Sequence, residues 1–147
     1  MKNIRCSWNE YFMKIAHVVA ERSTCDRAHV GCVLVKEKRI LTTGYNGSIA
    51  GGKHCDDVGH DVEDGHCKRT IHAETNAILQ AAKFGINIDN ALVYVTHSPC
   101  FTCFKNMVSV GISSIYYDIA YHVDDRIEKY LKEIGGMWHR DWKCFKI

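Results

Sequence analysis

His72-Ala73-Glu74-Thr75-Asn76-Ala77-Ile78 and, further on, Tyr94-Val95-Thr96-His97-Ser98-Pro99-Cys100-Phe101-Thr102-Cys103 decide how this chain is read. Ala73, Ala77, Ile78, Ala81 and Ala82 mark a helix opened by His72, which Gly85 can end with a left-handed cap. Pro99 starts a second helix, closed by Gly111, and Cys100 and Cys103 fall three apart in its first turn. That spacing turns both thiols to one side, where the helix dipole and free N–H groups favour thiolate. His72 can add a neutral imidazole. Two thiolates and one imidazole leave the fourth position of a tetrahedral zinc open to water, as in a catalytic site. Zinc can draw the pKa of that water from about 15.7 toward about 7. Glu74, two residues past His72, projects from another helical face and can take the proton instead of binding the metal. A lone Cys-x-x-Cys can equally be redox-active or structural, and a lone His-x-Glu is a weak signal; their order and the shared Pro99 point to a catalytic zinc.

Working outward, Ser7 to Arg22 predicts an amphipathic helix with Trp8, Tyr11, Phe12, Ile15, Val18 and Val19 on its apolar stripe. Ser7 and Glu10 form a capping box at its start. Val30–Val35 and Ile40–Thr43 are strand-like, and the charged link 36–39 joins them as a hairpin. Gly44-Tyr45-Asn46-Gly47 breaks the second strand. From Ser48 to Arg69 there is no period, and the stretch is rich in Gly, Asp, His and Cys. Ala91–Thr96 and Ile112–Tyr117 are strands, Asp124–Ile134 is a helix, and the tail from Trp138 to Ile147 can add an edge strand. Strands alternating with helices predict an α/β fold with a mixed sheet covered by helices.

The 147 residues fit one domain spanning 1–147, and 46% apolar content supplies a real core. A chain this long needs no disulfides, so its eight cysteines read as reduced thiols of a cytoplasmic protein, open to metal or catalysis. No apolar run reaches the ~18 residues of a membrane span. A net charge of +2 announces neither a membrane nor a stable nucleic-acid partner.

The order His-x-Glu…Pro-Cys-x-x-Cys is the known signature of zinc-dependent deaminases. With Ser23-Thr24-Cys25-Asp26-Arg27 and Gly44-Tyr45-Asn46-Gly47-Ser48, the segments quoted at the outset resemble the deoxycytidylate (dCMP) deaminases over about Ser7 to Tyr121. The likeness is nearest to the bacterial and phage members that include proteins of competence operons. It implies a three-layer cytidine deaminase-like fold with helices on both faces of the sheet. The implied reaction is dCMP + water → dUMP + ammonia, with Glu74 shuttling protons, and it would supply dUMP for thymidylate synthesis. It further implies that Asn46 holds the sugar, that a basic residue and a tyrosine hold the 5′-phosphate (Arg27 and Tyr121 being the candidates), and that the protein is a hexamer. Activation by dCTP and inhibition by dTTP, with Mg2+, are also implied, through Gly44, Tyr45, Asn46 and Gly47 and through Lys83. Arg27 could instead be an ordinary surface ion-pair residue, and Asn46 a turn residue tolerating left-handed φ.

Cys55, His60 and Cys67 share the long connection, and with Cys25 they would make a closed Cys3His structural zinc site; some relatives carry a second zinc here. His54 or His66 could replace His60, or the loop could be a solvated lid with scattered histidines. Cys32 reads as a core residue; Cys6 and Cys144 have no evident partner. Other readings are a zinc deaminase of dCTP, of tRNA adenosine or of a pterin or riboflavin-pathway substrate, and a non-catalytic competence-related protein of the same fold. An RNA editor should carry a basic face, and a purely structural zinc site has no need of Glu74.

Overall fold

The computed structural model describes residues 4–141 and 143–147, so Trp142, part of the aromatic tail, lies outside the described residues. Its elements are α1 (Trp8–Ala20), β1 (Gly31–Lys36), β2 (Arg39–Tyr45), β3 (Gly47–Ser48), α2 (Cys55–Val58), β4 (Val62–Glu63), β5 (His66–Cys67) and β6 (Thr70–Ile71). They continue with α3 (Ala73–Phe84), β7 (Leu92–His97), α4 (Phe101–Ser109), β8 (Ser114–Ile119), α5 (Asp125–Glu133), β9 (Met137–His139) and β10 (Cys144–Lys146). Six strands form one sheet in the order β2-β1-β7-β8-β10-β9. Only β7 and β8 run parallel, joined through α4; the other pairs are antiparallel, so the sheet is mixed as predicted.

Strand β1 explains the layering. Its residues alternate between two faces, and both are covered. Cys32 and Leu34 join Ala73, Ala77, Phe104, Ile127 and Leu131 from α3, α4 and α5. Val33 and Val35 meet Phe12 and Ala16 of α1, together with Tyr94 of β7. A strand buried on both sides reads as a continuous apolar run rather than an alternation. The result is a three-layer α/β arrangement.

The capping box forms as read: Ser7 N–H donates to Glu10 Oε2 at 2.7 Å, and Glu10 N–H donates to Ser7 Oγ at 3.2 Å. The buried stripe of α1, however, is Phe12, Ala16 and Ala20, while Trp8, Tyr11 and Val18 are 51%, 44% and 61% exposed. The cause is close approach. A Cβ on Gly31 would strike the Ala16 carbonyl, so the helix lies nearly on the strand and only small residues fit between them.

Other expectations shift. The β1–β2 turn is only Glu37-Lys38, both at positive φ, and β2 runs on through Gly44 and Tyr45 rather than breaking there. The connection from Ser48 to Arg69 is not structureless: it holds α2 and the β4–β5 hairpin, turned at Asp64-Gly65, where both residues have positive φ. The tail contributes two strands, and β10, not the edge strand β9, pairs with β8. Gly85 caps α3 at φ 66° as expected.

Candidate active site and metal clusters

Two chain segments bring the signature together. Strand β6 delivers His72 to the N-cap of α3, and the end of β7 delivers Cys100 to the N-cap of α4. Pro99 therefore stands just before the cap and not in the first helical turn, and Cys100 is extended rather than helical. The two thiols still face one point, because Cys103 N–H donates to Cys100 Sγ at 3.4 Å. His72 Nδ1 lies 3.6 Å from Cys100 Sγ and 3.5 Å from Cys103 Sγ. Zinc bonds of ~2.3 Å to sulfur and ~2.0 Å to nitrogen, set tetrahedrally, place S···N edges at roughly 3.5 Å. The donor set fits zinc.

The electrostatics suit a cation. A hydrogen bond from Cys103, supported by His72, draws the Cys100 thiol down to about 4. Cys103 is pushed up by that same bond, so the pair shares one proton. Thr75 Oγ1 sits 3.7 Å from Cys103 Sγ. Glu74, in the first turn of α3, is only 4% exposed, and burial holds its carboxyl above the usual range. Among the described residues it is the buried carboxylate beside these ligands, placed to hold or release a proton.

A second group gathers Cys25, Cys55, His60 and Cys67, whose ligand atoms all lie within 4.8 Å of one another. Cys25 Sγ is 3.5 Å from His60 Nδ1, and Cys55 Sγ is 3.6 Å from Cys67 Sγ, again the edge lengths of a tetrahedral site. Burial raises Cys55 to about 12. At Cys67 burial is outweighed by hydrogen bonds from the Asp61 backbone and His60, bringing that thiol down to about 6. Of the alternatives, His54 caps α2 and His66 faces the cavity, so His60 is the histidine in the cluster.

Both groups border one cavity of about 550 Å³, within the range of small-molecule sites. Cys25, Cys67, His72, Glu74 and Cys100 line it, as do Arg27, Asn46 and Tyr121. Among the described residues Arg27 meets no ion-pair partner; its guanidinium donates to Gly65 O at 3.1 Å. Asn46 is buried and its φ is not left-handed: its amide accepts from Val30 N–H at 2.8 Å and donates to Ala28 O at 2.7 Å, clamping the wall. One N–H and one lone pair of that amide remain for a ligand.

The backbone from Gly44 to Gly47 is partly committed: Gly44 stands opposite Cys32, Asn46 N–H donates to Val30 O, and Gly47 stands opposite Ile71. Tyr45 takes the outward position of the edge strand β2, its carbonyl accepting from Asn76 Nδ2 at 2.8 Å. Lys83 lies in the last turn of α3, away from the cavity, with its ammonium over Phe84. His97, His122 and Asp124 also line the cavity and have no site role in the sequence reading; His66, read there only as an alternative metal ligand, lines it too. His97-Ser98 directly precedes Pro99, which was the available signal; His122 and Asp124 carried none.

A mixed sheet with two thiols and an imidazole meeting at paired helix starts, beside a buried glutamate, defines the class of zinc-binding nucleobase deaminases. The model of the cytidine and deoxycytidylate deaminase zinc-binding region matches residues 6–119, and the chain belongs to that family. It is 50% identical to ComE operon protein 2 of Bacillus subtilis (strain 168) over 131 residues, 89% of this chain and 69% of that protein. It is 39% identical to deoxycytidylate deaminase of Saccharomyces cerevisiae over 90% of this chain, spanning 44% of the yeast protein's length. The solved dCMP deaminase of the cyanophage S-TIM5, in complex with dCMP and dUMP, superposes with a TM-score of 0.75 at 33% identity. That superposition covers 90% of this chain and 96% of the phage chain.

Proposed function

We propose that the chain, acting as one domain, hydrolyses the 4-amino group of dCMP to give dUMP and ammonia. The observation that carries this reading is the buried Glu74 carboxyl in one cavity with His72 and Cys100, with the buried Cys103 Sγ 3.5 Å from His72 Nδ1. His72, Cys100 and Cys103 would hold zinc, which when bound supplies an acidified water at its open position. Glu74 takes one proton from the nucleophilic water and passes it to N3 of cytosine as the hydroxyl adds to C4. It then takes the remaining hydroxyl proton and delivers it to the amine, which leaves as ammonia when the C4–N bond breaks and C4=O forms. Its raised affinity for protons suits it to both acceptance and return. Low exposure keeps bulk water from short-circuiting the transfer.

Arg27 and Tyr121 at the cavity wall suit the 5′-phosphate, the guanidinium fork by pairing two oxygens. Asn46 can use its remaining N–H and lone pair on the sugar hydroxyl. The resemblance extends the reading to a cytoplasmic hexamer that supplies dUMP for thymidylate synthesis, activated by dCTP and inhibited by dTTP with Mg2+. No helix among the described residues is long and apolar enough to cross a membrane.

Purified protein offered dCMP, dCTP, cytidine and adenosine-containing RNA tests the assignment. Release of dUMP and ammonia from dCMP in preference to the others is expected; no turnover of dCMP overturns it. Sigmoidal dCMP saturation that becomes hyperbolic with dCTP supports the effectors, and indifference to both nucleotides removes them.

A further inference from the structure

Residues 25–27 join the second cluster to the cavity. Cys25 gives the cluster a thiol, Arg27 lines the cavity, and Asp26 between them faces His60, with Oδ1 2.9 Å from His60 Nε2. The other ring nitrogen, Nδ1, is the one that lies 3.5 Å from Cys25 Sγ. An imidazole that binds a metal through one nitrogen keeps its proton on the other. An acceptor there selects the tautomer and fixes the ring plane.

We propose that Asp26 is a positioning residue for metal at Cys25, Cys55, His60 and Cys67. Its carboxylate accepts the Nε2 proton of His60 and leaves Nδ1 aimed at the three thiols. By holding His60 it also ties the segment carrying Gly65 and His66 to the residues beside Arg27, which donates to Gly65 O. The second cluster is thereby part of the cavity wall. That last consequence rests on the proposed nucleotide site; the role of Asp26 toward metal does not. The competing physical account is a solvent-exposed ion pair, since the Asp26 side chain is 72% exposed. Such a pair contributes little and would leave metal affinity unmoved.

The test is chelator competition on the full chain loaded with zinc, comparing wild type with Asp26→Ala, Asp26→Asn and His60→Ala. Wild type is expected to hold about two zinc per chain. Asp26→Ala should release one of them at roughly 10–100-fold lower chelator, while the ion lost in Cys100→Ser is released as in wild type. Asp26→Asn, whose side-chain carbonyl still accepts from Nε2–H, should fall between. A single zinc per wild-type chain, or unchanged release from Asp26→Ala, overturns the proposal. NMR of 15N-histidine in the zinc-loaded wild type decides independently of whether any variant folds. A proton on Nε2 of His60 with metal at Nδ1 is expected, and the reverse tautomer overturns it. Neither readout uses turnover, so failure of the dCMP assignment and failure of this inference are distinguishable.

Discussion

Gly44 lies so close to Ala73 that any side chain at 44 would strike the Ala73 carbonyl oxygen and the Ala77 N–H. The contact sets β2 flat against the start of α3, one residue from Glu74. Gly44→Ala forces backbone apart at this point and is expected to destabilise by about 2–4 kcal/mol, read as a lowered thermal midpoint. A variant that melts with wild type would show that α3 can shift without cost.

Glu74→Gln keeps the size of the side chain and removes its ability to exchange a proton. Metal analysis should find zinc retained, while ammonia release from dCMP falls by a factor of about 10²–10⁴ or more. Wild-type turnover in this variant would remove Glu74 from the chemistry.

Arg27→Ala should raise KM for dCMP by about 10–100-fold with a smaller effect on kcat, the size expected for losing a charge-assisted phosphate contact. Arg27→Lys should recover part of it as a point charge. Equal KM for dCMP and deoxycytidine in the wild type would argue that no residue grips the phosphate.

Tyr94 sits beneath α1, where burial raises its phenol from the ordinary 10 to about 12 and its hydroxyl donates to Asn9 Oδ1 at 2.7 Å. An acid whose folded pKa is raised stays neutral longer in the fold than in the unfolded chain. Its contribution is therefore complete below pH 10 and is lost as pH rises through about 12. Urea unfolding across this window should show wild type losing more stability than Tyr94→Phe. Parallel curves would assign the alkaline loss to other groups.

Much of this was legible in the sequence because local rules agreed with the tertiary result. The Ser7–Glu10 box, the Gly85 cap and the apolar run of β1 each carry their own signal. The cluster of His72, Cys100 and Cys103 was legible because its members fall in two short motifs, and the second cluster because ligand-type residues crowd one connection. What stayed hidden depends on contact between distant segments. Ala16 and Ala20 are buried because Gly31 admits the helix closely, which periodicity in α1 cannot reveal. Asp64-Gly65 is a local hairpin signal, but its flanking strands are only two residues long and scarcely apolar. The place of Cys144, buried in β10 against Tyr116, follows from pairing with β8 and not from its neighbours. His122 reaches the cavity through the fold alone.

The cavity is walled by thiols from both clusters: Cys25 and Cys67 on one side, Cys100 on the other. A chain without metal would leave these thiols uncoordinated and facing whatever enters the cavity. Metal occupancy would thus act as a chemical shield. Under zinc starvation the same cavity that should admit a nucleotide would become a trap for small electrophiles, and a molecule alkylated there could not be recovered by restoring the metal.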